Sequence, residues 1–422
     1  MLFSRSVFAC LLLGAAVPLW CQPTVLTIAE AQAEAMQNNP GLMAEKLGLP
    51  VADTALVTAG LKPNPVVSVS SDHLDLLGTG FSAANGAGPS ETALRVDVPL
   101  ERGNKRELRL DNAGYARKIA EARYADSVRR LRQDVTLACI DLLAAKAKLA
   151  LANDNLQALD KVVQFNQTRL KGGAIAPVEL TRARVAMLQY RGSVRTAELA
   201  LLTARTHLET LLGRRPGGTI DITGDLKVPL PASGPNLQQL QTEAQAGRPD
   251  ITAVRVDQAR SQSDLRLQIA NGKIDYLVGM EVRRQQGVNG TGNSLGFFFS
   301  APLPVYNRNQ GEIARAGREQ EQLRQSLEAV QAQVTSDVAG AYEEYESART
   351  LAAEIERDLL EPTKQARDTT AYVYQAGAST LVDVLDAQRA FNDTMSAYYD
   401  ALADYRRASA KLSAAVGQEV IP

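Results

Sequence analysis

Between Asn104 and Ala176 the chain contains no proline, and from Val128 onward an aliphatic residue returns at every seventh position. The series is Val128, Val135, Leu142, Leu149, Leu156, Val163 and Leu170, with Leu131, Ala138, Ala145, Ala152 and Leu159 in a companion seam. A sustained heptad makes a left-handed coiled-coil stripe, and the alanines let a second helix approach closely. At 1.5 Å per residue such a helix reaches roughly 100 Å, a length no compact domain uses. A second series, Val338, Tyr345, Ala352, Leu359, Ala366 and Val373, repeats the arrangement. Pro362 interrupts it and is expected to kink the helix without ending it, because the register continues beyond.

The recurrence belongs to an internal duplication. Gly173-Ala-Ile-Ala-Pro-Val-Glu-Leu-Thr-Arg-Ala-Arg184 reappears 204 positions later as Gly377-Ala-Ser-Thr-Leu-Val-Asp-Val-Leu-Asp-Ala-Gln388. Return helices follow both segments. The first has the seam Ala183, Met187, Tyr190, Val194, Ala197, Leu201, Ala204, Leu208 and Leu211, and the second has the same frame from Ala387 to Ala415. Gly172-Gly173 and Gly377 supply the reversals, and Pro177 suits a first helical turn, where its missing N–H costs little. These stripes carry architecture rather than chemistry.

Each half also holds two stretches of period two. Val67 and Val69 alternate with Ser68 and Ser70, and Leu94, Val96 and Val98 alternate with Arg95 and Asp97. In the second half Tyr276, Val278, Met280 and Val282 form one such series, and Leu295, Phe297 and Phe299 form the other. Period two marks strands with one apolar and one polar face, as in a membrane barrel or an ordinary soluble sheet. Four strands cannot close a barrel with a lumen, and a bilayer tolerates no open edges, so a membrane reading requires several chains. Residues 74–90 and 285–293 are Gly-, Ser- and Asn-rich and are expected to form solvent-facing hairpin tips. The glycines from Gly290 to Gly296 resemble a phosphate loop only weakly, lacking its Lys and its following helix.

Composition narrows the function. The 422 residues include 46 Lys plus Arg against 47 Asp plus Glu, so no whole-chain basic footprint points to nucleic acid. His73 and His207 have no further ligand at metal spacing, and no nucleophile, base and oxyanion donors converge. No enzyme, cofactor or resident metal is therefore expected. Arg5 and the apolar run from Val7 to Val17 read as a secretory signal ending near Cys21, since a membrane helix needs about 20 apolar residues. Cys21 is a lipidation candidate, against which Trp20 puts a bulky residue where that signal wants a small one. Cys10 leaves with the signal and Cys139 lies within a helix, which excludes a disulfide framework.

The duplicated plan of short helices, strand hairpin, long helix, glycine turn and return helix resembles the outer-membrane efflux protein family, the TolC-like exit ducts. The motifs carrying the resemblance are Tyr374-Gln-Ala-Gly377 with Leu381-Val-Asp-Val-Leu-Asp-Ala-Gln-Arg389, and their counterpart from Gly173 to Arg184. Glu101-Arg-Gly-Asn-Lys-Arg106 and the segment from Ala301 to Gly311 are similar to the strand-to-helix junctions of its CzcC-like, heavy-metal branch. The resemblance implies a mainly α protein with a membrane β-barrel portion. Three copies with four strands each would make a 12-stranded barrel above an α-helical periplasmic tunnel. It implies an exit duct in the outer membrane, in contact with its lipid, served by a periplasmic adaptor and an inner-membrane pump of the RND type. Heavy-metal cations are the favoured cargo, with organic toxicants or a type I secretion substrate as alternatives, and a periplasmic coiled-coil scaffold is the competing class.

Specific roles follow from the same motifs. Asp383 and Asp386 are three apart and share a helix face; spacing alone fits Asp383 as a helix cap. The resemblance places both in the lumen as a constriction ring, and assigns Tyr374 and Glu179 to the links that hold the gate shut. Ser379 stands where some members have an Arg in that link, which implies a weaker or differently wired lock. Gly173, Ala174, Pro177, Val178, Gly377, Ala378, Ser379 and Val382 are the candidate adaptor-contacting tips. The expected division is a signal at 1–21, a first repeat at 22–213, a linker at 214–235, a second repeat at 236–417 and a tail at 418–422. The first repeat has its hairpin near 65–99, long helix near 103–172 and return helix near 177–212. The corresponding ranges of the second are 274–301, 308–376 and 380–416.

Overall fold

The computed structural model describes residues 24–74, 76–78, 90–231, 233–287 and 290–420; the signal, Cys21 and most of the first hairpin tip lie outside the described residues. A short strand β1 (Thr24–Leu26) leads into helices α1 (Ile28–Asn38) and α2 (Pro40–Gly60). The hairpin β2 (Val66–Asp72) and β3 (Glu91–Leu100) follows, then α3 (Lys105–Lys171) and α4 (Pro177–Leu211). After β4 (Ile220–Ile222) the second half repeats the order with α5 (Leu237–Gly247), α6 (Pro249–Asn271), β5 (Tyr276–Gly287) and β6 (Gly290–Ser300). Its long helix is α7 (Gln310–Glu354), a π-helical turn (Ile355–Leu359) and α8 (Leu360–Gln375), and α9 (Leu381–Val416) returns.

The heptad of α3 is its packing face, with Leu131, Val135, Leu142, Leu159 and Val163 all buried. In the second half Val338, Tyr345 and Ala352 are buried, but Leu359 is half exposed and Ala366 is exposed. The register does not continue as expected. A π turn accommodates one extra residue, so the inward position moves from Leu359 to Leu360 and onward to the buried Tyr374. Pro362 is the local cause, since it offers no N–H to the Asp358 carbonyl.

Two further expectations need correction. The linker is not merely a connection: β4 lies within it and pairs in parallel with β1, burying Ile220, Ile222 and Leu226 against α3 and α9. The tip expected at 285–293 is strand almost throughout, because β5 runs to Gly287 and β6 starts at Gly290. The glycines from Gly290 to Gly296, already unlike a phosphate loop in lacking its Lys and helix, are ladder residues. Their missing side chains leave the backbone free to pair with Glu281, Gln285 and Gly287.

The main sheet is antiparallel in the order β2-β3-β5-β6, so the two hairpins join through β3 and β5. Its register lines up Val69, Leu94, Val282 and Leu295, and below them Val67, Val96, Met280 and Phe297. Apart from the half-buried Val96 this face is exposed, with Phe297 at 79% and Val69 at 70%. The opposite face buries charge. Arg95 pairs with Asp97 at 2.9 Å, and Arg283 reaches both Glu281 and Glu91 at 2.9 and 2.8 Å. Apolar residues outside and charged residues inside is the reverse of a water-soluble sheet and the pattern of a membrane barrel wall. Among the described residues no helix is long and apolar enough to cross a membrane.

The helices continue the same order. Nearest the sheet α2 lies on α3, α3 on α6 and α6 on α7; farther away α4 packs on α3, α3 on α9, and α9 on α7 and α8. One edge of the molecule is therefore β2 with α2 and α4, and the other is β6 with α7 and α8. Both edges show exposed apolar side chains. Met43, Leu47, Val185, Leu188, Leu199 and Leu202 lie on the first, and Leu351, Leu359 and Tyr372 on the second.

Candidate channel gate and constriction

At the end far from the sheet, α3 and α8 stop in matching ways. The Gly173 N–H donates to the Leu170 carbonyl and that of Ala174 to Arg169; Gly377 and Ala378 repeat both bonds to Tyr374 and Val373. This is the Schellman arrangement, and it needs a positive φ, found at 73° for Gly173 and 82° for Gly377. Gly377→Val should destabilise this turn by about 1–2 kcal/mol, read as faster hydrogen exchange confined to residues 374–384.

The tips themselves face solvent. Gly173, Ala174, Pro177, Gly377 and Ala378 are exposed, Ser379 is half-buried, and Val178 and Val382 are 54% and 48% exposed at equivalent positions of the two repeats. Behind them Val163, Leu180, Ala183, Tyr374, Leu381 and Val384 form a small core that joins the two hairpins.

Asp383 occupies the third position of α9 in a capping box. Its carboxylate accepts from the Thr380 N–H (2.9 Å), the Thr380 hydroxyl (2.8 Å) and the Ser379 hydroxyl (3.0 Å). Those bonds, the Thr380 backbone one first, hold its carboxyl below the ordinary Asp value. Asp383 therefore caps the helix and still stands exposed on the same face as Asp386, which has only a 3.5 Å contact with Arg389. Because its folded value is depressed, the cap's stabilisation is complete above the ordinary carboxylate value and disappears as pH falls through the lowered one. In an Asp386→Asn channel, cation preference should persist at a pH that half-protonates a free Asp, as reversal potentials measured down the acid range would reveal.

Tyr374 is buried, and its hydroxyl donates to the Asn166 Oδ1 at 2.5 Å. Its ring meets Phe165 edge-on at 5.9 Å, and the Arg169 guanidinium lies against both rings. Among the described residues no hydrogen bond joins Tyr374 to Glu179, which is half-buried in the first turn of α4. Asn166, which the motifs did not disclose, holds Tyr374 instead. A signal was present, since Asn166 follows Leu159 by seven in an otherwise apolar seam. Higher up, Gln388 donates to the buried Asn155, which donates to Asn392, adding a second polar tie between α3 and α9. Tyr374→Phe strands the Asn166 oxygen, costing about 1–3 kcal/mol. Higher resting conductance is expected, and unchanged conductance would count against a lock at this residue.

His73 and His207 are both exposed, and among the described residues no three His, Cys, Asp or Glu could hold a metal ion. Cys139 is buried, and burial pushes its thiol up to about 12, so it is inert packing.

An open arc of sheet, apolar outside and charged inside, above a wall of long helical hairpins defines a channel-wall protein. The profile of the outer membrane efflux protein family matches residues 32–214 and 240–418, and the chain belongs to that family. The cobalt-zinc-cadmium resistance protein CzcC of Cupriavidus metallidurans is 25% identical over 324 residues, 77% of this chain and 76% of its own. The pyoverdine export outer membrane protein OpmQ of Pseudomonas aeruginosa is 25% identical over 405 residues, 91% of this chain and 82% of its own. Among solved structures CusC superposes with a TM-score of 0.75 at 19% identity, covering 93% of this chain and 92% of that one. VceC of Vibrio cholerae gives 0.72 at 16%, covering 93% and 96%. The protein is an outer-membrane efflux channel with a helical periplasmic portion, of the kind that works with an adaptor and an inner-membrane pump.

Proposed function

We propose that three copies close into one exit duct, a 12-stranded barrel continued by a helical tunnel, that carries heavy-metal cations outward from a pump and its adaptor. The observation that carries closure is the coincidence of free edges in both layers. Among the described residues β2 and β6 are unpaired on one side each, in line with the exposed apolar seams of α4 and of α7–α8. Two different complementary edges make a head-to-tail contact, which closes into a ring. Two copies would give eight strands, a barrel filled by its own side chains, whereas three leave a lumen.

Tyr374, Asn166 and Glu179 hold the far end narrow, and Asp383 with Asp386 supplies up to six carboxylates around the constriction. The exposed tips at Val178 and Val382 receive the adaptor. The similarity to CzcC and the acidic throat support divalent cations as cargo. Organic export is the second reading, favoured by the longer alignment with OpmQ. Deleting the chain from its host separates them. Cation cargo predicts lost tolerance to cobalt, zinc or cadmium with organic export intact, and the opposite pattern would favour the second reading.

A further inference from the structure

We infer that Arg284, on the lipid-facing side of the sheet, is a binding site for the phosphate of an outer-leaflet glycolipid; this rests on the barrel reading above. With one exception, the four strands confine their charged residues to the inward face. Their acidic residues Asp72, Glu91, Asp97 and Glu281 all lie at inward register positions, as do Arg95 and Arg283. Each of those two arginines is paired with an inward carboxylate. Arg284 alternates to the other face, is exposed, and its side chain has no ion pair or hydrogen bond among the described residues. It is the one charged residue among the outward positions of the described strands.

Its place along the strand is equally specific. The row Val69, Leu94, Val282 and Leu295 ends the apolar band on the side away from the helices. The next outward row is Ser71, Thr92, Arg284 and Asn293, and beyond it come Ser90, Gln286 and Thr291. A lipid-facing arginine is tolerated on a barrel near the interface and strongly disfavoured at mid-depth. Here it sits one row past the apolar band, among hydroxyl and amide groups that donate hydrogen bonds, with no carboxylate on that face to repel an anion. A guanidinium presents paired N–H donors that match phosphate oxygens. The helices lie on the periplasmic side, so this row faces the outer leaflet, where the phosphate is a phosphomonoester on a glycolipid.

The test uses the full-length channel, purified in detergent and titrated with bisphosphorylated lipid A, the same lipid after phosphatase treatment, and phosphatidylglycerol. The wild-type channel should hold the phosphorylated glycolipid about tenfold more tightly than the other two. Arg284→Gln should erase that preference and Arg284→Lys should restore part of it, with Arg284→Gln pores keeping wild-type conductance in planar bilayers. Equal binding of phosphorylated and dephosphorylated lipid, or full preference in Arg284→Gln, overturns the site. Phosphatidylglycerol bound as tightly as lipid A overturns the glycolipid assignment. Failure of the wild-type protein to form pores would instead overturn the barrel reading beneath it.

Discussion

A channel carrying Asp383→Asn and Asp386→Asn in every copy should lose most of its preference for cations, with the cation-to-anion permeability ratio falling about tenfold or more. Both carboxylates are exposed on one face at the start of α9, and neither is neutralised by a close cation, the Arg389 contact being long and exposed. In a narrow throat a ring of such charges focuses counter-ions, whereas in a wide lumen salt would screen them. The single variants separate roles that the double variant merges. Asp383 also closes the capping box with Thr380, so Asp383→Asn disturbs the helix start as well as the charge. Asp386 makes no such bond, and Asp386→Asn should lower selectivity without loosening the tip. Reversal potentials under a salt gradient give the ratio. A double variant as selective as wild type would move the constriction elsewhere.

Leu188→Asp with Leu199→Asp should abolish assembly, leaving single chains in detergent extracts. Both leucines are more than 60% exposed on α4 and belong to a stripe with Val185 and Leu202 that no described element of the same chain covers. Burying each such side chain against a neighbouring copy contributes about 1.5–3 kcal/mol. A desolvated carboxylate in its place costs more than that gain. Three such contacts close one ring, so the effects accumulate. The inward seam of α4 is untouched, and each variant chain should keep its helical content by circular dichroism. Loss of helix together with assembly would mean that the stripe supports the chain's own fold.

What could be read beforehand followed from residue spacing. The seven-residue series in α3 and the alternation in β3 and β5 are long enough that only one structure satisfies each, and both lie where the spacing puts them. The slip in the second long helix has a plain cause. Leu359 is followed by Leu360 and Val373 by Tyr374, so both registers offer apolar residues at the ends, although Arg367 follows Ala366 between them. Only the missing N–H of Pro362 decides between them, through the π turn. β4 was hidden because three residues between prolines and glycines cannot display a period, and its burial depends on a partner strand near the other end of the repeat. The outer stripe of α4 was masked by the stronger inward seam on the same helix.

The candidate site was legible as residues and not as contacts. Asp383, Asp386 and Tyr374 were singled out by motif, and the first two share an exposed face, but the partner of Tyr374 was not among the motif residues. The Tyr374–Asn166 contact joins residues 208 apart, which no local spacing reveals. Glu179 stands in the first turn of α4 without a partner within the described part of its own chain, the position of a side chain whose link would be to another copy.

Closure of identical chains into one duct is the claim on which the rest depends. The mass of the detergent-extracted particle, by light scattering with the detergent contribution subtracted, tests it most directly. Three copies per particle is the predicted result. A homogeneous single-copy particle that retains its sheet and helices would contradict the shared barrel, and with it the constriction and the tunnel.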